Sequence, residues 1–257
     1  MTCPKCANEI LDGSQFCPRC GHTIQAGSTK VELDFGGSAI ELLGWILLSI
    51  VATLVVIPIA WVSAAMGRWM CRNMKFSDGT TATFRGTGGQ IVGWFIVYSI
   101  LTIGFEIGNF TLARKNLGAS LLLTLGFLLV ASAIILQLTR WWVSNVELSS
   151  GPPLTFEGTY GAYLGWYLLT AILVYTLIGW AWAAAGMYRW YARNTRGQGV
   201  EFQFHGKGHQ ILWRTLLVAL ASMLIIPIPW VVLWLMRWIV QNISMSRSAV
   251  AVAAASA

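Results

Sequence analysis

Charged side chains are scarce in this 257-residue chain: Asp, Glu, Lys and Arg make up 11% of it, and hydrophobic residues make up 56%. Soluble domains are about one quarter charged, so this chain has too little polar surface to cover itself in water. Its apolar residues form long runs that are broken only by small or hydroxyl residues, Gly or Pro. These runs are 42–60, 91–105, 117–138, 162–187 and 211–240. Runs of this length predict helices within a membrane.

Ionisable side chains are absent from the middle of every predicted membrane helix. Glu41 and Arg214 lie at predicted helix starts, and Glu106 lies near the far end of one. Proton pumps, ion-coupled transporters and intramembrane proteases need such groups at depth, so these classes are disfavoured. The sequence also has no recognisable pairing of an acid, base or nucleophile. We therefore expect no enzymatic activity and name no catalytic residue.

The net charge of +7 raises the question of nucleic-acid binding, but the basic residues flank the apolar runs and form no separate basic domain. We expect no nucleic-acid partner. The opening residues MTCPKCANEI contain cysteines where a secretory signal peptide would have an apolar core. They therefore predict no signal peptide.

An internal repeat organises the chain, and its first landmark is Phe-x-Gly with a Trp ten residues after the Phe. The four occurrences start at Phe35, Phe84, Phe156 and Phe204, and their tryptophans are Trp45, Trp94, Trp166 and Trp213. A second landmark, Arg-Trp-x-x-x-Asn, closes each unit. Its occurrences are Arg68-Trp69-Asn73, Arg140-Trp141-Asn145, Arg189-Trp190-Asn194 and Arg237-Trp238-Asn242. We expect the closing Asn to leave its helix in the left-handed conformation.

Each unit predicts a short strand, an apolar helix, a break and a second helix. The breaks fall at Pro58, Gly108 with Gly118, Gly179, and Pro227 with Pro229. Turn-rich segments such as Asp78-Gly79 predict β-hairpins between consecutive units. Strand pairing between units would place all strands on one side of the membrane. The predicted fold is therefore an all-α integral membrane protein of four helical hairpins, with about eight membrane helices linked by short cytoplasmic β-hairpins.

The domain boundaries follow from these landmarks. We expect a zinc ribbon over 1–24, a linker and first strand over 25–34, a membrane domain over 35–245 and a disordered tail over 246–257. The four units are about 35–74, 75–146, 147–195 and 196–245. Of the 17 Lys and Arg residues, all except Arg114 and Lys115 fall on the hairpin side, which the positive-inside rule makes cytoplasmic. Both termini are expected there. The second helix of units 1, 3 and 4 is short, which fits either a membrane crossing or a re-entrant helix.

The N-terminal cysteines form two Cys-Pro-x-Cys knuckles, Cys3 with Cys6 and Cys17 with Cys20. Knuckles of this kind direct four thiolates at one tetrahedral metal, so structural zinc is the expected cofactor. A disulfide is disfavoured because this end is assigned to the reducing cytoplasm. Four cysteine ligands leave no open position for water or substrate. The zinc ribbon is therefore a candidate docking module.

The arginines and tryptophans of the closing motifs are candidate contacts for anionic lipid headgroups at the membrane interface: Arg68, Trp69, Arg140, Trp141, Arg189, Trp190, Arg237 and Trp238. The alternative interpretation is an ordinary belt of Trp and Arg anchors, which the same residues would form. Five further tryptophans are expected near the opposite membrane face: Trp61, Trp180, Trp182, Trp230 and Trp234.

The stretch from Trp182-Ala183 through Arg189-Trp190-Tyr191 and Arg193-Asn194-Thr195 to Phe204-x-Gly206-x-Gly208 resembles the YjgN-like family of bacterial membrane proteins of unknown function. The resemblance extends over about residues 31–245. It implies a multi-pass protein of the bacterial inner membrane. This chain departs from the family at Ala183 to Met187, where the family has basic residues, and the departure weakens a headgroup-binding role.

These observations favour a non-enzymatic membrane scaffold or accessory subunit of a larger complex. Its expected partners are membrane lipids and other membrane subunits, or further copies of itself. The alternative is a transporter or channel-like protein for a lipid or other apolar molecule, since a groove for such a molecule requires no buried charge.

Overall fold

The computed structural model describes residues 6, 8–9, 17–20, 29–55, 57–149, 151–224 and 226–247. Most of these residues are helical. The helices are α1 (Ala39–Val55), α2 (Ile59–Asn73), α3 (Gly88–Ala113), α4 (Leu117–Ser144), α5 (Tyr160–Val174), α6 (Trp180–Asn194), α7 (Gly208–Ser222) and α8 (Ile228–Gln241). The strands are β1 (Thr29–Phe35), β2 (Met74–Phe76), β3 (Ala82–Phe84), β4 (Val146–Leu148), β5 (Thr155–Phe156), β6 (Thr195–Gly197), β7 (Val200–Phe204) and β8 (Ile243–Arg247).

Four consecutive segments share one order of elements: a leading strand, two helices and a trailing strand. The leading and trailing strands of each segment pair with each other in antiparallel register. The Phe of the leading strand lies opposite the residue that follows the closing Asn. These pairs are Phe35 with Met74, Phe84 with Val146, Phe156 with Thr195 and Phe204 with Ile243.

Strand pairing between segments differs from the hairpins that the turn signals predict. β6 and β7 form the expected hairpin, whereas β2 pairs with β1, and β3 pairs with β4. β8 lies between β1 and β7, so the last strand joins the first in a six-stranded sheet. That strand was not predicted, and it continues through Arg247, beyond the expected start of the tail at residue 246. Residues 248–257 lie outside the described residues.

The helices close into a ring in the described part of the chain. Each helix packs against the next one along the chain, and α8 packs against α1. The second helix of each segment also packs on the leading strand of the following segment: α2 on β3, α4 on β5, α6 on β7 and α8 on β1. The main hydrophobic core lies where these helices meet the strands, and it includes Phe35, Trp69, Phe204, Trp238 and Met245.

Two described helices, α3 and α4, are long and apolar enough to cross a membrane. They contain 26 and 28 residues, and α3 is continuous through Gly108, so the break of segment 2 falls at 114–116. The other six helices have 14 to 17 residues. Eight complete membrane crossings are therefore not shown. The Pro and Gly positions at 58, 179 and 227 do separate the two helices of the other segments, because helices resume directly after them.

A small polar cluster ties the β2–β3 connection to the last strand. Asp78 and Arg247 form an ion pair with an N···O distance of 3.3 Å. Arg247 also donates a hydrogen bond of 2.6 Å to the Thr80 hydroxyl. Burial acts to raise the pKa of Asp78, but hydrogen bonds from Thr80 and the charge of Arg247 outweigh burial. The net pKa is below the ordinary value of 3.8.

We predict that Asp78→Asn destabilises the folded protein by about 1 kcal/mol at neutral pH, since the partly exposed ion pair with Arg247 is removed. Because the folded pKa of Asp78 is lowered, the stabilisation is present above the ordinary pKa and is lost as pH falls through the folded value. The difference from wild type should therefore shrink as pH falls below the ordinary pKa of 3.8 and vanish once Asp78 is protonated in the folded protein. Thermal unfolding in detergent, followed by Trp fluorescence, measures this difference. Asp34→Asn is the control because an amide oxygen can still accept the 3.0 Å bond from Gln241. An unchanged pH dependence in Asp78→Asn would contradict the assignment.

Candidate functional site

Three of the four predicted zinc ligands lie together. The Sγ atoms of Cys6, Cys17 and Cys20 all lie within 4.8 Å of one another, and those of Cys6 and Cys17 are 3.6 Å apart. Two sulfurs bound to one tetrahedral zinc at about 2.3 Å would be about 3.8 Å apart, whereas disulfide sulfurs are about 2.05 Å apart. The spacing therefore fits a metal site. Cys3, the fourth predicted ligand, lies outside the described residues.

The electrostatics of Cys17 also suit a metal ligand. Its side chain is buried, which by itself raises the pKa of the thiol. Hydrogen bonds from the Arg19 and Cys20 backbone, and from the neighbouring cysteine side chains, outweigh burial and lower the pKa to about 6. The thiolate, which is the form that binds metal, is thus favoured at neutral pH. These residues fit a structural zinc, which would hold the two knuckles together.

The arginines of the closing motifs, here called the ring arginines, connect each segment to the next. Each donates a hydrogen bond from its guanidinium to the carbonyl oxygen of the Gly in the following Phe-x-Gly. The N···O distances are 3.1 Å for Arg68 to Gly86, 3.0 Å for Arg140 to Gly158, 3.5 Å for Arg189 to Gly206 and 2.8 Å for Arg237 to Gly37. The fourth bond joins the last segment to the first, so the set of bonds closes a circle.

The closing asparagines hold each segment to itself. The backbone N–H of the residue between Phe and Gly donates to the carbonyl oxygen of its own segment's Asn: Gly36 to Asn73, Arg85 to Asn145, Glu157 to Asn194 and His205 to Asn242. The left-handed conformation predicted for these asparagines is wrong, because Leu177 is the only described non-glycine residue with a positive φ. The Asn side chains instead donate to the carbonyl four residues earlier, that of the motif Trp, at 2.7 to 2.9 Å. This bond caps the helix end without a left-handed turn.

The motif tryptophans cover the glycines whose carbonyls the ring arginines bind. Trp69, Trp141 and Trp190 meet the Phe of their own segment edge to face, at ring-centroid distances of 5.4 to 5.5 Å. A Cβ atom added at Gly86 would lie 2.5 Å from a ring atom of Trp141 and 2.6 Å from one of Phe84. Gly is thus required because the rings leave no space for a side chain.

Sequence reasoning missed a polar group beneath this packing in segments 1 and 2, at the sixth residue after the Phe. Glu41 accepts a hydrogen bond of 3.0 Å from the Trp69 indole, and Gln90 accepts one of 2.9 Å from Trp141. Glu41 and Gln90 also accept backbone N–H bonds from Ser38 and Thr87 at the starts of their helices. The signal was a capping-box pattern, Ser or Thr followed three residues later by Glu or Gln.

Two of the tryptophans expected at the far membrane face lie instead beside helix starts at the strand layer. A Cβ at Gly88, the first residue of α3, would meet Trp61, and one at Gly208, the first residue of α7, would meet Trp182. The ring centroid of Trp234 is 5.7 Å from that of Trp213, which lies near the start of α7. Helices α2 and α6 are short and cross close to the next segment's helix start, so Trp61 and Trp182 do not lie at a far face.

Comparison with known proteins identifies the N-terminal region alone. Residues 2–24 match the family model of the zinc-ribbon domain. No curated protein and no solved structure matches the chain. The family match and the cysteine geometry together support a structural zinc held by this region.

We predict that Cys17→Ser abolishes stoichiometric zinc binding, because the loss of one of four thiolates removes a ligand with a favourable pKa. Metal content of the purified full chain, measured by mass spectrometry, should be one zinc per wild-type chain. The control is Cys71→Ala, since Cys71 is buried in the core with the strands. Zinc retained by Cys17→Ser, or lost equally from Cys71→Ala, would contradict the site.

We predict that Gly86→Ala destabilises the protein by about 2 kcal/mol, since the added methyl group would overpack against Trp141 and Phe84. Gly89→Ala is the matched control three residues along the chain. Nothing lies within 4 Å of a Cβ there, and Ala favours the first turn of α3. Unfolding temperature in detergent distinguishes the two. Equal stability of the two variants would show that the ring contact is not tightly packed.

Proposed function

We propose that this chain is a non-enzymatic membrane scaffold or accessory subunit, with a zinc ribbon and a strand layer that together form a cytoplasmic docking surface. The observation that carries the proposal is the distribution of apolar side chains. The buried core lies at the strand layer, whereas the helix ends far from the strands expose large apolar residues to their surroundings.

This exposure recurs at the far end of all four helical hairpins. Leu54 is 82% exposed, Leu122 72%, Tyr175 89% and Ile226 80%. Exposed apolar surface on this scale is unfavourable in water and favourable in the hydrocarbon of a bilayer. It supports immersion of all four hairpin ends in lipid.

The hairpins would enter the membrane to different depths. At 1.5 Å per residue, α3 and α4 measure about 39 and 42 Å, enough to cross a hydrocarbon core of about 30 Å. The first helices of the other segments measure about 22 to 25 Å. We therefore propose one complete hairpin crossing in segment 2 and three shallower, re-entrant hairpins. All strands, and both termini, then lie on the same side.

Charge supports the orientation. Arg114 and Lys115 lie at the far end of segment 2, and the other basic residues belong to the zinc ribbon, the strand layer or the helix ends next to it. By the positive-inside rule, the strand layer then lies on the cytoplasmic side of a bacterial inner membrane. The resemblance to YjgN-like proteins implies the same location. Membership of that family remains a prediction.

The chemistry of the zinc ribbon and of the ring arginines supports the scaffold role. A zinc held by cysteines alone has no free coordination position, and the ring arginines bond to backbone carbonyls of the same chain. Both arrangements stabilise a surface. Other membrane subunits, or further copies of this chain, are the proposed partners, with membrane lipids around the hairpins.

A groove between α1 and α2 favours the second candidate function, movement of a lipid or other apolar molecule. Its volume is about 440 Å³, and its walls include Trp45, Ile50, Leu54 and Met66. Such walls suit an acyl chain without any buried charge.

We predict that a stoichiometric partner co-purifies with the wild-type chain in mild detergent and is lost from Cys17→Ser. The variant should still fractionate with membranes, because its hairpins are unchanged. Quantitative mass spectrometry of the purified samples measures the partner, and Cys71→Ala provides the control with its zinc ribbon intact.

Two results would contradict the scaffold role. One is a chain that purifies without a partner and moves fluorescent lipid between the leaflets of liposomes, which would establish the transport alternative. The other is a chain that remains in solution without detergent.

A further inference from the structure

A basic pocket opens on the polar side of segments 3 and 4. It has a volume of about 430 Å³. Arg189, Arg193 and Arg196 line it from the end of α6 and the start of β6, and Glu201, Gln203 and His205 line it from β7 and the residue after it. The four-residue spacing puts Arg189 and Arg193 on one face of α6, and Arg196 joins them from β6.

The two carboxylates near the pocket both pair with the same one of the three arginines. Arg196 lies 3.6 Å from Glu201 and 3.3 Å from Glu157. The other two guanidinium groups are less engaged. Arg189 makes the longest of the four ring bonds, 3.5 Å, and its side chain is exposed. Arg193 is also exposed, and no hydrogen bond or ion pair involves it within the described residues.

The nearby helix carbonyls do not compete for these donors. At the end of α6, the carbonyl oxygen of Trp190 accepts the Asn194 amide, that of Tyr191 accepts the Thr195 hydroxyl, and that of Asn194 accepts a backbone N–H from Glu157. Two guanidinium groups thus face the pocket with donors to spare. Two planar forks of N–H donors at one wall of a cavity match the several oxygens of a phosphate group.

The other segments do not repeat this arrangement. The positions equivalent to Arg193 and Arg196 are Ser144 and Glu147 in segment 2, and Gln241 and Ser244 in segment 4. Segment 1 has Arg72 and Lys75, but the Lys75 side chain lies against Gly36 of its own segment, where an added Cβ would be 2.6 Å from its Cε. An arginine at both positions is therefore particular to segment 3.

We infer that this pocket binds a phosphate-bearing anion, with Arg189 and Arg193 as the main donors. The anion is either a soluble phosphate compound or the phosphate of an anionic lipid headgroup. The pocket belongs to the strand layer, yet the inference does not rest on the proposed docking role, because anion binding is measured on the full chain without a partner.

The test uses the full chain in two arms. In detergent, equilibrium dialysis with radiolabelled inorganic phosphate measures the soluble ligand. In nanodiscs that contain phosphatidylglycerol, native mass spectrometry of the released protein counts retained phosphatidylglycerol molecules. The variant is Arg193→Gln, and the matched control is Arg72→Gln, since both arginines lie in the last turn of a second helix. Both are exposed, so neither change should impair folding.

We expect Arg193→Gln to weaken binding about tenfold, and Arg72→Gln to leave it unchanged, because one charge-assisted pair of hydrogen bonds is lost only in the former. An effect in the phosphate arm identifies a soluble ligand, and an effect confined to the lipid arm identifies a headgroup. Binding in neither arm, or equal effects of the two substitutions, would overturn the inference. Thermal unfolding of both variants verifies that they remain folded.

Discussion

The bond from an arginine at the end of one segment to a glycine carbonyl at the start of the next is the interaction on which the rest of the structure depends. It links secondary-structure elements that are close in sequence in three cases and far apart in the fourth, where Arg237 reaches Gly37 at 2.8 Å. The same junction carries the Phe–Trp ring contact and the backbone bond to the closing Asn. The arginine binds the glycine carbonyl, and the indole covers the Cα of the same glycine. A residue without a side chain therefore makes both contacts.

This junction also explains the layered distribution of polarity. The ring-arginine bonds and the strand pairs that join segments lie at the strand layer, where the core residues are buried. The far hairpin ends expose aliphatic side chains. A chain with so few charged residues can be stable in this form if lipid surrounds those ends. The proposed membrane location thus follows from the same geometry that closes the ring.

The four segments share this junction but differ in features that bear on function. Segment 2 extends its helices and supplies the one hairpin of full membrane length. Segment 3 has the longest ring bond and three arginines at one pocket. Segment 4 places Arg214 over Trp238, at 4.4 Å from the ring centroid, whereas in segments 1 and 2 Glu41 and Gln90 accept a hydrogen bond from the indole. A shared framework therefore carries distinct local surfaces.

From the sequence alone came the cysteine knuckles, the four Phe-x-Gly and Arg-Trp landmarks and the approximate helix positions, because each is a local pattern of spacing or apolarity. Which carbonyl an arginine binds, which strands pair and how the last strand joins the first are decided by tertiary structure. Turn signals at Asp78-Gly79 predicted a local hairpin, yet β2 gains more by pairing with β1 of its own segment, where Phe35 lies opposite Met74. Helix depth was likewise undetermined, since apolar runs do not reveal where a chain turns. The ring closes only when the first and last strands, β1 and β8, pair in space, and no local pattern encodes that pairing.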